Sequence, residues 1–396
     1  MYRKTLLIVL SLACAAALAR LGISIYNFLP SQKAASEAKE KVFQPTDRVL
    51  QLLNRADAAP PTLNGQHPCV FASVERTNVH PQFGECALPT MHSGPVDRFE
   101  VDLRYGDFVL RQSDLYLNDV FDVPLTRTYN SGDYLHPNRV HAFGKNTNHP
   151  YDIAPLGTRY PYTEQMLVFE DGDFVYFRRV SEGVSYGDAI FQHTETSTEF
   201  YKAVTAWNGN GWTTWRTDGS AILFPEAYNG KNAAQGAATE IRDAAGNRLE
   251  LIRDDQRNLL EIRTPHKHSI RFRYDDLERI TRAQDDQGHW AEYRYDGNGM
   301  LTDAALSSGQ SRHYSYDGDL MTSVEDENHR VLVRNSYTER ILTRQYFGNG
   351  QVYSYGFTGS ADGTYVESAD VTQPDGTQIR VEPFGSIPER IKHPSH

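Results

Sequence analysis

The 396-residue chain is 39% hydrophobic and 11% aromatic, enough to bury a sizeable core and too apolar for a disordered sequence. Its 40 basic and 51 acidic residues give a formal charge of -11, and the arginines alternate with acids rather than forming a basic run, which argues against a nucleic-acid partner. The 23 tyrosines, set against 5 methionines, point to strands with half-buried aromatics.

At the N-terminus, Arg3 and Lys4 precede the uncharged run LLIVLSLACAAALA, and after Arg20 residues 21–29 are again mostly apolar. This is the pattern of an export signal. It reads either as a cleaved signal peptide, with Ala17 and Ala19 before the cut, or as an uncleaved transmembrane helix over residues 5–29 that keeps Arg3 and Lys4 in the cytoplasm. The anchor is the preferred reading, because residues 21–29 lengthen the apolar stretch and Arg20 can snorkel. Acylation at Cys14 is a weaker third reading, since Ser11 sits where an aliphatic residue is usual. All of these place the bulk of the chain in the cell envelope, periplasmic or extracellular. Residues 30–95 then form a stalk with a proline-containing linker at Ala58-Ala59-Pro60-Pro61 and a loop bounded by Cys69 and Cys86. In an oxidising compartment these two cysteines are expected to pair, which stabilises by on the order of 3 kcal/mol in the chain-entropy picture.

Residues 96–238 read as a β module. Apolar alternation flanks Tyr105-Gly106-Asp107, Asp171-Gly172-Asp173 and Asn208-Gly209-Asn210, each a hairpin signal. Trp207, Trp212 and Trp215 cluster around one of these hairpins and could form a platform on which sugar rings stack, although a sheet core uses such residues as readily. His136, His141 and His149 match no zinc spacing, so a structural corner in which His149 and Asp152 fix a turn is the better reading. His266 and His268 show no third ligand nearby, and the Asp-Gly turns lack the further oxygens of a calcium loop, so no metal or cofactor is expected. No G-x-S-x-G, H-E-x-x-H or phosphate-binding glycine loop occurs, and no enzyme is expected.

Residues 239–360 carry a repeat. Tyr274-Asp275, Tyr295-Asp296 and Tyr316-Asp317 follow one another at a constant interval; the same step forward reaches Tyr337-Thr338 and the same step back reaches Arg253-Asp254. Each pair follows alternating residues, such as Phe272 and Tyr274, and precedes an apolar residue and a Thr: Thr281, Thr302, Thr322 and Thr343. Period-two alternation between Gly, Asn and Asp turns predicts one antiparallel hairpin per unit, with Tyr274, Tyr295 and Tyr316 in a row along one face as a contact surface. One hairpin buries little by itself, so the units are expected to stabilise one another as an array. Residues 361–396 supply a closing hairpin and a tail.

The stretches RFRYDDLERIT, EYRYDGNGMLT and HYSYDGDLMT resemble the YD repeats of the rearrangement-hotspot (Rhs) family. The upstream stretch VDLRYGDFVLRQSDLYLNDVFDVPLTRTYNS, followed by FGKNTNHPYDI, is similar to the module that often precedes those repeats in Rhs and polymorphic-toxin proteins. The resemblance implies a β-rich, surface-exposed or secreted protein that holds a C-terminal toxin or displays a binding surface, and it implies no single chemistry. A D-P-x-G-L boundary motif does not occur and the repeats are few, so neither a closed cage nor a toxic cargo is expected. The sequence thus predicts an all-β antiparallel hairpin array, a curved sheet or short open barrel, with an N-terminal signal or anchor helix. Its expected role is binding or scaffolding, with a carbohydrate or a cell-surface protein as partner. The alternatives are an accessory or remnant of a polymorphic-toxin system that docks a partner protein, and a polysaccharide-acting enzyme.

Overall fold

A computed structural model of the chain describes residues 44–54, 71–73, 98–120, 122–132, 140–158, 161–194, 199–227, 233–359 and 366–381. The expected leader and anchor over residues 1–29, and the Cys69–Cys86 disulfide, lie outside the described residues. Among the described residues no helix is long and apolar enough to cross a membrane, and the one α-helix is Asp47–Leu53. That helix buries Val49 and packs against the strand Val204–Trp207.

Nearly everything else is antiparallel sheet. A five-stranded sheet runs in the order Phe71–Ser73, Arg98–Asp102, Asp107–Leu117, Val123–Asn130 and Thr147–Asn148. A second sheet of 21 strands starts at Ala154–Gly157 and ends at Gln378–Val381, each strand hydrogen-bonded to the next one in the chain. No register joins its two end strands among the described residues, so this sheet is an open meander. The described residues of 96–238 therefore divide between these two sheets and a two-stranded one, Val140–His141 with Gly144–Lys145, and the meander passes without a break into the repeats. Strand alternation follows the sequence: in Ser269–Tyr274, Ile270 and Phe272 are buried while Arg271 and Arg273 face water, and in Trp290–Tyr295 the same holds for Ala291 and Tyr293 against Glu292 and Arg294.

The repeat tyrosines and threonines serve one local irregularity, and Asp275 and Asp296 the turn beside it. Pairing slips by a residue just before each repeat tyrosine, at Arg273/Tyr274, Arg294/Tyr295, Ser315/Tyr316 and Ser336/Tyr337. Such a bulge leaves backbone groups without ladder partners, and these need others. The Thr hydroxyls supply some of them: Thr281 donates to the Arg273 carbonyl at 3.3 Å, Thr302 to Arg294 at 3.2 Å, Thr322 to Ser315 and Thr343 to Ser336 at 3.1 Å. The tyrosine hydroxyls reach back into the preceding unit: Tyr274 to the Leu259 carbonyl at 2.9 Å, Tyr295 to Ile280 at 2.6 Å, Tyr316 to Leu301 at 2.7 Å and Tyr337 to Met321 at 2.8 Å. The aspartates organise the turn, with Asp275 accepting from the Leu277 and Arg279 amides at 3.0 Å and Asp296 from Asn298 at 2.9 Å and Met300 at 2.8 Å. Arg253, which stands in the tyrosine position of the first unit, makes the equivalent contact with Nε, 2.9 Å from the Ala238 carbonyl.

The upstream module completes what the bulges leave open. The amide of Ile280 donates to the Ala142 carbonyl at 2.7 Å, that of Met321 to the Tyr129 hydroxyl at 2.9 Å and that of Leu342 to the Gly106 carbonyl at 2.8 Å. This close approach requires glycine. Gly106 and Gly144 have φ of 76° and 87°, and a Cβ would lie 2.5 Å from Ile341 Cγ2 or 2.4 Å from the Gly299 carbonyl oxygen respectively. Between the two sheets, Arg127 pairs with Asp114 at 2.5 Å, Tyr293 donates to Asp114 at 2.7 Å, and Tyr314 donates to Gln112. The five-stranded sheet and the repeats therefore share one core.

Candidate functional site: an aromatic cleft at the start of the meander

The first strands of the meander enclose a cleft of about 550 Å³. Its walls come from the hairpin Ala154–Gly157/Glu164–Val168, the strand Ile190–Gln192, and the hairpin Val204–Trp207/Gly211–Trp215. The turn Ala233–Gly236 packs against both Ala154–Gly157 and Ala221–Pro225.

Trp207 and Trp212 face each other across the hairpin, with centroids 5.4 Å apart and ring planes at 78°. Tyr186 meets Trp207 edge-on at 4.8 Å, Tyr162 lies 6.1 Å from Tyr186, and Phe191 backs Trp212 at 5.7 Å. Of these rings Tyr186 is exposed and Trp207 half-buried, whereas Trp212, Tyr162 and Phe191 are buried. The polar groups of the lining are Glu164, Gln165, Asn210, Glu226 and Thr158.

Two devices hold the walls in place. Tyr162 has a φ of 47°, uncommon for a bulky residue and the kind of local strain found at ligand clamps. Thr158 Oγ1 brackets that turn, accepting from the amides of Thr163 at 2.9 Å and Glu164 at 3.1 Å. Tyr186 is carried on a loop gathered by Arg179, whose guanidinium donates to the carbonyls of Tyr162 at 3.3 Å, Ser181 at 3.2 Å, Glu182 at 2.8 Å and Ser185 at 3.1 Å and pairs with Asp188 at 2.7 Å. The hydrogen bond from Arg179 holds the Asp188 carboxyl below the usual carboxylate range.

Of the residues singled out from sequence, the structure brings Trp207 and Trp212 into this cleft. Trp215 is buried in the strand partnering Val204 and Ala221 and does not line it. The rings of Tyr274, Tyr295 and Tyr316 are partly buried against the core, and their hydroxyls are engaged by backbone carbonyls, so they lie in the sheet and apart from the cleft. Tyr162, Tyr186, Arg179, Glu164 and Glu226 were not singled out from sequence.

Among the described residues, no histidine lines the cleft. His149 is fully buried ahead of the turn Pro150–Asp152, its Nε2 3.9 Å from Asp152, and burial pulls its pKa down. His266 and His268 bond to different aspartates, Asp119 at 2.5 Å and Asp286 at 2.8 Å, and His136 lies outside the described residues.

Two family models match the chain. Residues 100–174 match "Domain of unknown function (DUF6531)" and residues 217–332 match "Teneurin YD-shell". No curated protein sequence matches. Among solved structures, the chain is similar to the crystal structure of TcdB2-TccC3-TEV at 12% identity and a TM-score of 0.29, covering 76% of this chain and 20% of that one. It is similar to TcdB2-TccC3 without its hypervariable C-terminal region at 14% identity and a TM-score of 0.29, covering 72% and 16%. It also resembles the Photorhabdus luminescens Tc holotoxin pore at 12% identity and a TM-score of 0.25, covering 72% and 15%. The chain thus spans a fifth or less of the length of these structures. The upstream module and the repeats are thus each matched by a family model, and over these residues the chain is similar to Rhs/YD-repeat proteins.

Proposed function

We propose that this YD-repeat scaffold is a saccharide-binding protein of the cell envelope, with the cleft between Trp207, Trp212 and Tyr186 as its contact surface. The observation that carries the reading is the pairing of aromatic faces with carboxylate, amide and hydroxyl groups in one cleft, since sugar rings offer apolar faces rimmed by hydroxyls. The rest of the meander acts as a rigid support, and the export signal read from residues 1–29 would set the cleft outside the cytoplasm. The role is retention of a glycan without turnover.

Glycan-array binding by the full chain tests this. Trp207→Ala removes a partly exposed wall and is expected to abolish the array signal while leaving the thermal midpoint near that of the wild type. An array without signal from folded wild-type protein overturns the proposal. A second reading is protein docking by strand addition. Gln378–Val381 is paired on one side only among the described residues, which leaves an edge for another strand. Loss of a co-purifying partner on Ile379→Pro, with the glycan array flat, would favour it.

A further inference from the structure

His149 is fully buried, yet neither of its ring nitrogens has a hydrogen-bond partner among the described residues. A neutral imidazole carries one donor and one acceptor, and leaving both unmade inside a protein costs free energy that an apolar ring at the same place would not. The ring sits where the upstream module meets the repeats. Phe143 lies edge-on to it at 6.0 Å, Tyr151 is tilted at 5.9 Å, and Phe272, on the repeat strand Ser269–Tyr274, stacks at 6.3 Å. Polar contacts tie the segment that carries it, residues 140–152, to the repeats. The Ile280 amide donates to the Ala142 carbonyl, the Lys145 amide to the Gly299 carbonyl at 2.9 Å, and Arg253 to both Asp152 and the Tyr151 carbonyl.

Nothing around the ring is placed to receive a second proton. Asp152 is 3.9 Å from Nε2 but is already held by Arg253 at 2.8 Å, so an imidazolium would have to compete with a guanidinium. Burial is the main cause that disfavours the charged ring, and the positive charges of Arg253 and His141 add to it while Asp152 opposes. The Tyr151 and Tyr274 hydroxyls donate elsewhere, to the carbonyls of Pro124 and Leu259. Arg271 and Arg273, on the strand of Phe272, face water; Lys145, on the hairpin beside Phe143, lies against Gly299; Arg127, over the Phe143 ring, is paired with Asp114.

We infer that His149 is an acid-triggered latch: protonation of its ring expels it from the core and undocks residues 140–152 from the repeats. The latch is independent of the saccharide reading. Because the folded ring is held neutral, its contribution to docking is complete above the unfolded value of 6.5 and is lost as pH falls below it. Each pH unit below that value raises the open fraction by up to about tenfold. The Glu170 carboxyl moves global stability the other way over the same range, so the latch is read locally.

The closing experiment is amide hydrogen exchange of the full chain at pH values of about 7.5 and about 5, on either side of the unfolded value, corrected for the intrinsic pH dependence of exchange. In the wild type, protection of the Ile280 and Lys145 amides should fall by up to roughly thirtyfold at the lower pH, while Val352–Gly359, several strands further along the meander, should hold. His149→Phe and His149→Leu should each abolish the fall; two side chains are used because the surrounding rings could resist the larger one. Wild-type protection that does not fall at the lower pH overturns the inference, as does a fall that persists in either folded variant. A loss of protection shared equally by Val352–Gly359 would be general acid unfolding and overturns it too.

Discussion

Replacing Arg127 by Leu tests whether the upstream sheet and the repeats fold as one body. Its Nε and Nη2 lie 2.5 and 3.0 Å from the Asp114 oxygens, with both side chains only 4% exposed. At these separations the attraction is about 6 kcal/mol for an effective dielectric near 20, much of it offset by the desolvation of two charges. Removing the arginine alone leaves that desolvation uncompensated at Asp114, and the Tyr314 hydroxyl, 3.1 Å from Nη2, also loses a donor. The expected loss is about 3–5 kcal/mol, a large share of the ~5–15 kcal/mol that stabilises a typical domain. Arg127→Leu/Asp114→Leu should recover most of it, because the apolar pair leaves no buried charge. Urea unfolding gives the magnitudes. Hydrogen exchange gives the location: protection should fall together in Asp107–Leu117, on the upstream sheet, and in Trp290–Tyr295 and Ser311–Asp317, the strands that carry Tyr293 and Tyr314. A single-variant loss below about 1 kcal/mol, or exchange that rises in one sheet only, would refute the shared core.

The remaining predictions concern other buried contacts and the cleft. Glu170, Asp171, Asp173, Glu100 and Asp102 gather around the guanidinium groups of Arg104 and Arg111, and burial together with Asp171 pushes the Glu170 carboxyl up to about 7 from 4.5. Because the folded value is the higher one, this group favours the folded state fully below the unfolded pKa and loses that contribution as pH rises toward and through about 7. Urea midpoints measured across that range should decline in the wild type and decline less in Glu170→Gln; identical slopes would sink the assignment. Arg253→Tyr restores the repeat's own residue yet should destabilise by about 3 kcal/mol, because Asp152, 2.8 Å from Nη1, loses its partner; a thermal midpoint at or above wild type would count against this account. Arg179→Ala should free the loop that carries Tyr186, seen as faster proteolysis there, and weaken glycan binding roughly tenfold without touching a ring, whereas unchanged loop protection would argue against its positioning role.

The sequence by itself determined the local plan. A tyrosine, an aspartate and a threonine recurring at one interval encode a hairpin with a bulge, because all three partners of the bulge lie within that unit or the one before it, and the interval also marked Arg253 as a substitute in register. What it left open was the face the tyrosines present. The partners of Met321 and Leu342 are Tyr129 and Gly106, about two hundred residues upstream. The cleft likewise gathers Tyr162, Tyr186 and Trp212 from segments that share no period. Periodicity reports contacts between neighbours along the chain; contacts between distant segments depend on how two sheets meet, and that only the tertiary structure decided.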